Sequence, residues 1–132
     1  MNTEWKRDKQ YESKIYTISK IFGGTIYHVE VWVEDLKKST RFWFGASSGI
    51  KRKELSIFEH KERKSSGGIK ALLWIRNMIY NFYEWYEPDE GKSSYACIRW
   101  SDNRRRKIYE RLLREGFQYM IIDKEKILIK RL

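Results

Sequence analysis

The sequence predicts an α/β fold with a mixed, mostly antiparallel sheet and two main helices. Two observations lead to this prediction. Four segments that mix β-branched and aromatic residues with polar ones occupy the first sixty residues. The later part alternates, with a long apolar helical segment, a short strand, a basic helical segment and two terminal strands. The order is therefore four strands, helix, strand, helix and two strands.

The first four predicted strands cover residues 14–22, 25–33, 41–46 and 53–60. Gly23 and Gly24 lie between the first two, and glycine readily adopts the positive φ of a tight hairpin turn. We therefore expect the chain to begin its sheet with a hairpin.

The first helix is predicted over residues 70–86, in "KALLWIRNMIYNFYEWY". The polar residues Lys70, Asn77, Asn81 and Glu84 fall at helical intervals and form one narrow exposed stripe. Pro88 cannot continue the helix. The pattern predicts a helix that is buried on most sides and packs across the sheet.

The second helix is predicted over residues 102–115, between a strand at 95–100 and the terminal strands "FQYMII" and "KILIKRL". Ser101 or Asp102 is a suitable N-cap. Gly116 is expected to end this helix in a left-handed conformation. Its apolar stripe consists of Ile108, Tyr109, Leu112 and Leu113, and basic residues occupy the rest of its surface.

Length and composition favour one domain over residues 13–132, preceded by a polar arm over residues 1–12. No run of eighteen apolar residues occurs, and the start lacks the apolar segment of a secretory signal. Cys97 has only His28 and His60 to help it form a metal site. We expect a cytoplasmic, metal-free protein that has no membrane partner.

The net charge of +10 allows attraction to phosphate-rich partners. One interpretation is a non-catalytic basic module that binds nucleic acid or a host protein, with Trp5, Trp43 and Trp100 as stacking surfaces. The basic helix 102–115 would then bind nucleic acid weakly and without specificity. The other interpretation of that helix is an amphipathic structural element with a solvated basic face.

The segment 63–70, "RKSSGGIK", lies between a predicted strand and the first helix. Consecutive glycines let backbone N–H groups approach an anion, and a helix N-terminus adds a positive partial charge. A pyrophosphate could sit there, reinforced by Arg63, Lys64 and Lys70. The alternative is a flexible connector that is rich in serine and glycine.

Residues 53–132 resemble the GNAT superfamily of N-acetyltransferases. "SIFEHKERKSSGGIKALLW" is similar to the strand, glycine loop and helix with which that family binds acetyl-CoA, and "DNRRRKIYERLLREGF" is similar to its fourth helix. Between the first two predicted strands there is room only for a turn, where the family has two helices.

The resemblance implies transfer of an acetyl group from acetyl-CoA to an amine, whose identity the sequence does not give. It assigns cofactor binding to Arg63, Ser66, Gly67, Gly68, Ile69, Lys70 and Asn103, and the role of general acid to Tyr109. Separately, Glu59 with His60 stands at the end of the predicted strand before the loop. Glu59 is a candidate base for the amine, or else an exposed polar residue at a strand end.

Overall fold

The computed structural model describes residues 5–8, 14–49, 53–55, 66–99 and 114–132. These residues form one sheet of eight strands and one helix. The strands are β1 (Lys6–Arg7), β2 (Lys14–Phe22), β3 (Thr25–Asp35), β4 (Ser39–Ser48), β5 (Lys53–Leu55), β6 (Ser93–Arg99), β7 (Gln118–Ile122) and β8 (Glu125–Arg131). The helix α1 (Ser66–Tyr86) connects β5 to β6.

The order of the strands in the sheet is β1-β2-β3-β4-β6-β8-β7, and β5 pairs with β4 beside this path. Strands β1 to β4 are antiparallel neighbours, and so are β6, β8 and β7. The pairing of β4 with β6 is parallel. The sheet therefore consists of two antiparallel halves that are joined by one parallel pair.

The predicted α/β fold class with two main helices, like that of the GNAT acetyltransferases, is wrong. The described residues form a sheet-dominated structure in which one helix packs on a large mixed sheet. The reason lies in the strands, since β2, β3 and β4 have 9, 11 and 10 residues and build a broad meander. The predicted second helix, over 102–115, lies outside the described residues except for its last two positions.

The hairpin between β2 and β3 has the predicted turn. Gly23 and Gly24 both have positive φ, 55° and 80°, as a two-residue hairpin turn of the primed type requires. Phe22 consequently pairs with Thr25, and the register of the whole hairpin follows from that pair.

The core lies between α1 and one face of the sheet, which we call the helix face. Residues at helical spacing on α1 are buried against it: Ala71, Ile75, Met78, Ile79 and Phe82. From the sheet, alternate residues of each strand point toward them, among them Val29, Val31, Phe42, Ala96 and Leu128. The helix is buried on this one side only, since Leu73, Tyr80 and Trp85 are exposed, so the prediction that it is buried on most sides is wrong.

The N-terminal residues that the structure describes contribute to this core. Trp5 is only 5% exposed, and its ring contacts Phe82 edge-on with the centroids 4.9 Å apart. Lys6 and Arg7 pair with β2 at the edge of the sheet. Within the predicted arm of residues 1–12, Trp5 is therefore anchored on the helix.

Candidate functional site

The candidate site lies where the parallel strands β4 and β6 stop pairing with each other, and we call this place the cleft. Their pairing runs from Ser39 and Ser93 to Trp43 and Cys97, and there it ends. Beyond Trp43, β4 pairs instead with β5 through Ala46–Ser48, whereas β6 continues beside β8 as far as Arg99. The carboxyl ends of two parallel strands thus diverge, which is the part of an open α/β sheet where ligands commonly bind.

Helix α1, which connects β5 to β6, begins toward this same end of the sheet and runs antiparallel to β4 and β6. Trp74 in its first half packs against Phe22, and Tyr86 at its end packs against Phe42. The first four backbone N–H groups of a helix have no partner within it and carry a positive partial charge. The N-terminal half of α1 thus packs on β2, and the helix begins toward the end of the sheet at which β4 and β6 stop pairing.

The first turn of α1 contains the predicted glycine pair. The backbone is helical from Ser66 onward, so Ser66, Gly67, Gly68 and Ile69 carry the four N–H groups that have no partner within the helix. No acidic residue occurs in this turn that would compete with a bound anion. Residues 66–70 of the predicted cofactor segment thus belong to a helix, residues 63–65 lie outside the described residues, and Lys70 is exposed.

Arg99 lies on the other strand of the cleft. Its guanidinium lies over the ring of Trp43, 5.6 Å from the ring centroid, and 3.7 Å from the carboxylate of Glu125. The side chain is 73% exposed, so both contacts are at the surface and worth little to stability. Arg99 and Trp43 lie on the face of the sheet opposite α1, since their strand neighbours Ile98 and Phe42 belong to the helix-face core, so Arg99 does not share a site with Lys70.

Four predicted site residues lie outside the described residues: Glu59, Arg63, Asn103 and Tyr109. The structure brings Ser66, Gly67, Gly68, Ile69 and Lys70 together on consecutive positions of α1. The binding assignment of these five residues is therefore compatible with a single anion, whereas the acid and the base stay predictions from sequence.

The three tryptophans that were expected to stack on nucleic-acid bases differ in accessibility. Trp5 is buried in the core, so it offers no stacking surface. Trp43 is half-buried, with Arg99 above its ring, and Trp100 lies outside the described residues. Trp32, which the sequence interpretation did not select, is exposed on the opposite face of the sheet from α1.

A second polar cluster, absent from the sequence interpretation, joins Ser19, His28 and Gly49. The Ser19 hydroxyl oxygen is 2.6 Å from His28 Nδ1, and His28 Nε2 is 3.0 Å from the carbonyl oxygen of Gly49. The carbonyl can only accept, so Nε2 donates to it, and in the neutral ring the Ser19 hydroxyl donates to Nδ1. The sequence could have predicted the contact between Ser19 and His28, because the hairpin turn at Gly23 and Gly24 places these two residues opposite each other.

This cluster satisfies both nitrogens of a buried ring and ties β2 and β3 to the end of β4. It lies on the face opposite α1, since Ile18 and Val29, the strand neighbours of Ser19 and His28, belong to the helix-face core. We therefore assign it a structural role rather than a part in the cleft.

Cys97 is the last residue of β6 that pairs with β4, and it is fully buried. Burial raises the pKa of its thiol to about 12, and nearby Arg41 opposes this shift only weakly. Cys97 is therefore a small buried side chain of the sheet rather than a reactive surface thiol. The thiol stays protonated at neutral pH and is not a nucleophile.

Within the described ranges, no three histidine, cysteine or acidic side chains come close enough to hold a metal ion. The described part of the chain contains no helix with the length and apolar character to cross a membrane. Comparisons with protein-family models, with curated proteins and with solved structures find no match for this sequence.

Proposed function

We propose that this protein binds acetyl-CoA in the cleft between β4 and β6 and transfers the acetyl group to an amine. One observation carries the proposal: the parallel pairing stops at Trp43 and Cys97, at the end of the sheet where the glycine-containing N-terminus of α1 begins. This arrangement suits a phosphate-bearing ligand. The resemblance of residues 53–132 to acetyltransferases supports CoA as that ligand.

The pyrophosphate of CoA would accept hydrogen bonds from the backbone N–H groups of Ser66 to Ile69. Gly67 and Gly68 have no side chain to hinder this approach. Lys70, Arg63 and Asn103 complete the proposed binding set, and the net charge of +10 favours a polyanionic cofactor. No metal ion takes part in the proposed reaction, and we place it in the cytoplasm.

In the proposed reaction the amine nitrogen attacks the thioester carbonyl, and the carbon–sulfur bond breaks. Glu59 removes the proton that the attacking amine loses, and Tyr109 protonates the departing thiolate of CoA. The products are an N-acetylated amine and free CoA. These two roles come from the sequence and its resemblance.

Titration calorimetry with acetyl-CoA and CoA tests the binding step before the amine is known. We expect measurable heat with ligand in the millimolar range or below. Gly68→Asp places a carboxylate where the phosphate must lie, so binding should be lost. A carboxylate suits a helix N-terminus, so this substitution should not weaken the fold.

Gly91→Asp is the matched control. Gly91 follows the opposite end of α1, and an added Cβ would come no closer than 3.4 Å to Asp89 Oδ1. This variant changes the net charge equally and should bind CoA like the wild type. Absence of heat with wild-type protein, or equal binding by Gly68→Asp, would refute the proposed site.

A further inference from the structure

Two indole rings on the sheet face opposite α1 each donate a hydrogen bond to a carboxylate. We call this face the far face, and its side chains alternate with those of the helix-face core along β3 and β4. Trp43 Nε1–H donates to Glu34 Oε1 at 3.2 Å, and Trp32 Nε1–H donates to Glu30 Oε1 at 2.7 Å. Trp32 and Trp43 are direct neighbours across the two strands. The far face therefore carries two indole–carboxylate pairs side by side.

The pair of Trp43 and Glu34 holds cations of the chain itself. The guanidinium of Arg99 lies over the Trp43 ring, 5.6 Å from its centroid, and Arg41 Nη1 is 3.4 Å from Glu34 Oε1. The negative face of an aromatic ring attracts a cation, and tryptophan is the strongest partner of this kind. The protein thus shows that such a pair accommodates a guanidinium group.

The pair of Trp32 and Glu30 has no such partner within the described part of the chain. There, no cation lies over the Trp32 ring, and Glu30 takes part in no ion pair. Trp32 is 49% exposed and Glu30 is half-buried, so both are accessible to solvent. Lys6 lies in the same cross-strand row as Glu30, but two strands away, about 10 Å.

Gly45 leaves space beside this pair. It lies directly opposite Glu30 on β4, so a side chain at this position would project from the far face. An added Cβ would meet no atom within 4 Å, and Gly45 itself is exposed. The far face is therefore open next to the Glu30 carboxylate.

We propose that Trp32, Glu30 and Gly45 form a binding site for a small alkylguanidinium compound. The guanidinium stacks on the Trp32 ring, as the guanidinium of Arg99 lies over Trp43, and the alkyl group lies over Gly45. The Glu30 carboxylate accepts hydrogen bonds from the guanidinium, because it has acceptor sites beyond the one that Trp32 uses. This site is independent of the proposed CoA site on α1.

Charge and size select this ligand. Glu30 would repel an anion, and no three potential metal ligands meet in the described ranges. A stable protein interface buries about 800 Å² on each partner, far more than one indole, one carboxylate and one glycine offer. A basic protein surface would also meet Lys6, Arg41 and Arg99 on the same face. A small cation avoids these charges because it reaches only Glu30.

Titration of isotope-labelled protein with ethylguanidinium, followed by NMR, tests the site. The readout is the indole Nε1–H resonance of Trp32, which is identified by its absence in Trp32→Phe. We expect a saturable shift of this resonance with a Kd in the millimolar range. Ethylurea has the same planar shape without the charge, and it should produce no saturable shift.

Glu30→Gln tests the role of the carboxylate. The amide oxygen still accepts the hydrogen bond of Trp32, but the charge is lost, so ethylguanidinium should bind about fivefold more weakly. The matched control is Glu84→Gln, which makes the same charge change at an exposed position of α1 and should bind like the wild type.

Three outcomes would overturn the proposal outright: no saturable shift with wild-type protein, equal binding of ethylurea, or equal affinity in Glu30→Gln. Tighter binding of an arginine-containing peptide than of ethylguanidinium would also overturn it, in favour of a protein partner.

Discussion

The indole nitrogen of Trp5 donates a hydrogen bond of 2.9 Å to the side-chain oxygen of Asn81, although 76 positions separate the two residues in the chain. The Trp5 ring contacts Phe82 and Trp85 on the same helix. The start of the described chain is thus fastened to the second half of α1 by one polar and several apolar contacts.

Trp5→Ala should lower the free energy of unfolding by about 3 kcal/mol, because it removes a large buried ring. Trp5→Phe keeps an aromatic ring but removes the donor to Asn81, and should cost about 1 kcal/mol. Urea denaturation measures both values. Trp32→Ala is the control, since Trp32 is half exposed, and an equal loss in that variant would contradict the anchoring role of Trp5.

Gly116 has a φ of 100°, and an added Cβ would lie 3.2 Å from Lys130 Cε. Gly116→Ala should destabilise the protein by about 1–2 kcal/mol, because L-residues with a side chain avoid positive φ. Gly45→Ala is the control, since Gly45 lacks a positive φ and has open space around it. A comparison of the two unfolding midpoints checks the prediction, which fails if both variants match the wild type.

Positive φ at Gly116 was predictable, because a glycine that follows an amphipathic segment is commonly a helix-ending residue. The hairpin at Gly23 and Gly24 was also predictable, since the turn residues determine its register. Strand alternation likewise placed β2 at residues 14–22 as observed. These features depend on residues that are close together in the chain, so short sequence patterns predict them.

The features that the sequence did not reveal depend on distant partners. Trp5 stands among polar residues, and nothing nearby indicates that Asn81 and Phe82 will cover it. The fold class was wrong because helix and strand patterns say little about how many strands join one sheet. The end of the parallel pairing at Trp43 and Cys97, which defines the candidate site, arises from the way two distant segments meet.

Cys97 should react with a disulfide reagent at pH 8 only after unfolding, because burial raises its pKa to about 12. A folded-state pKa above the unfolded value of 9.0 stabilises the protein fully below pH 9. That contribution falls as the pH rises from 9 toward 12. Thiol titration of native and urea-unfolded protein measures the difference, and rapid reaction of the native protein would contradict the burial.

Tyr109→Phe should lower the turnover of acetyl transfer much more than the affinity for CoA. A phenol with a pKa near 10 can protonate the leaving thiolate at neutral pH, whereas phenylalanine cannot. Calorimetry gives the affinity, and an assay of released CoA thiol gives the turnover once an amine substrate is found. Equal turnover in both proteins would assign Tyr109 to packing instead.

Nucleic acid should bind only weakly and lose its affinity near physiological salt. Each phosphate that a basic side chain neutralises releases counterions, so the affinity falls steeply as salt increases. Fluorescence anisotropy at two salt concentrations measures this, with Arg104, Arg105 and Lys107 together changed to glutamate as the comparison. A tight, salt-resistant complex with one RNA or DNA would favour the binding-module interpretation over acetyl transfer.

In the described sheet, the two antiparallel halves are joined to each other by the parallel pairing of β4 with β6. Five residue pairs, from Ser39 with Ser93 to Trp43 with Cys97, join the strands before the helix to those after it. The half from β1 to β4 is held by local antiparallel hairpins, which close short loops and form early, whereas β6 joins β8 across the long segment between Arg99 and Glu125. We expect this parallel ladder to open more readily than the hairpins of the first half, so the exchange of its amide protons reports the coupling of the two halves, and CoA bound beside it should slow this exchange.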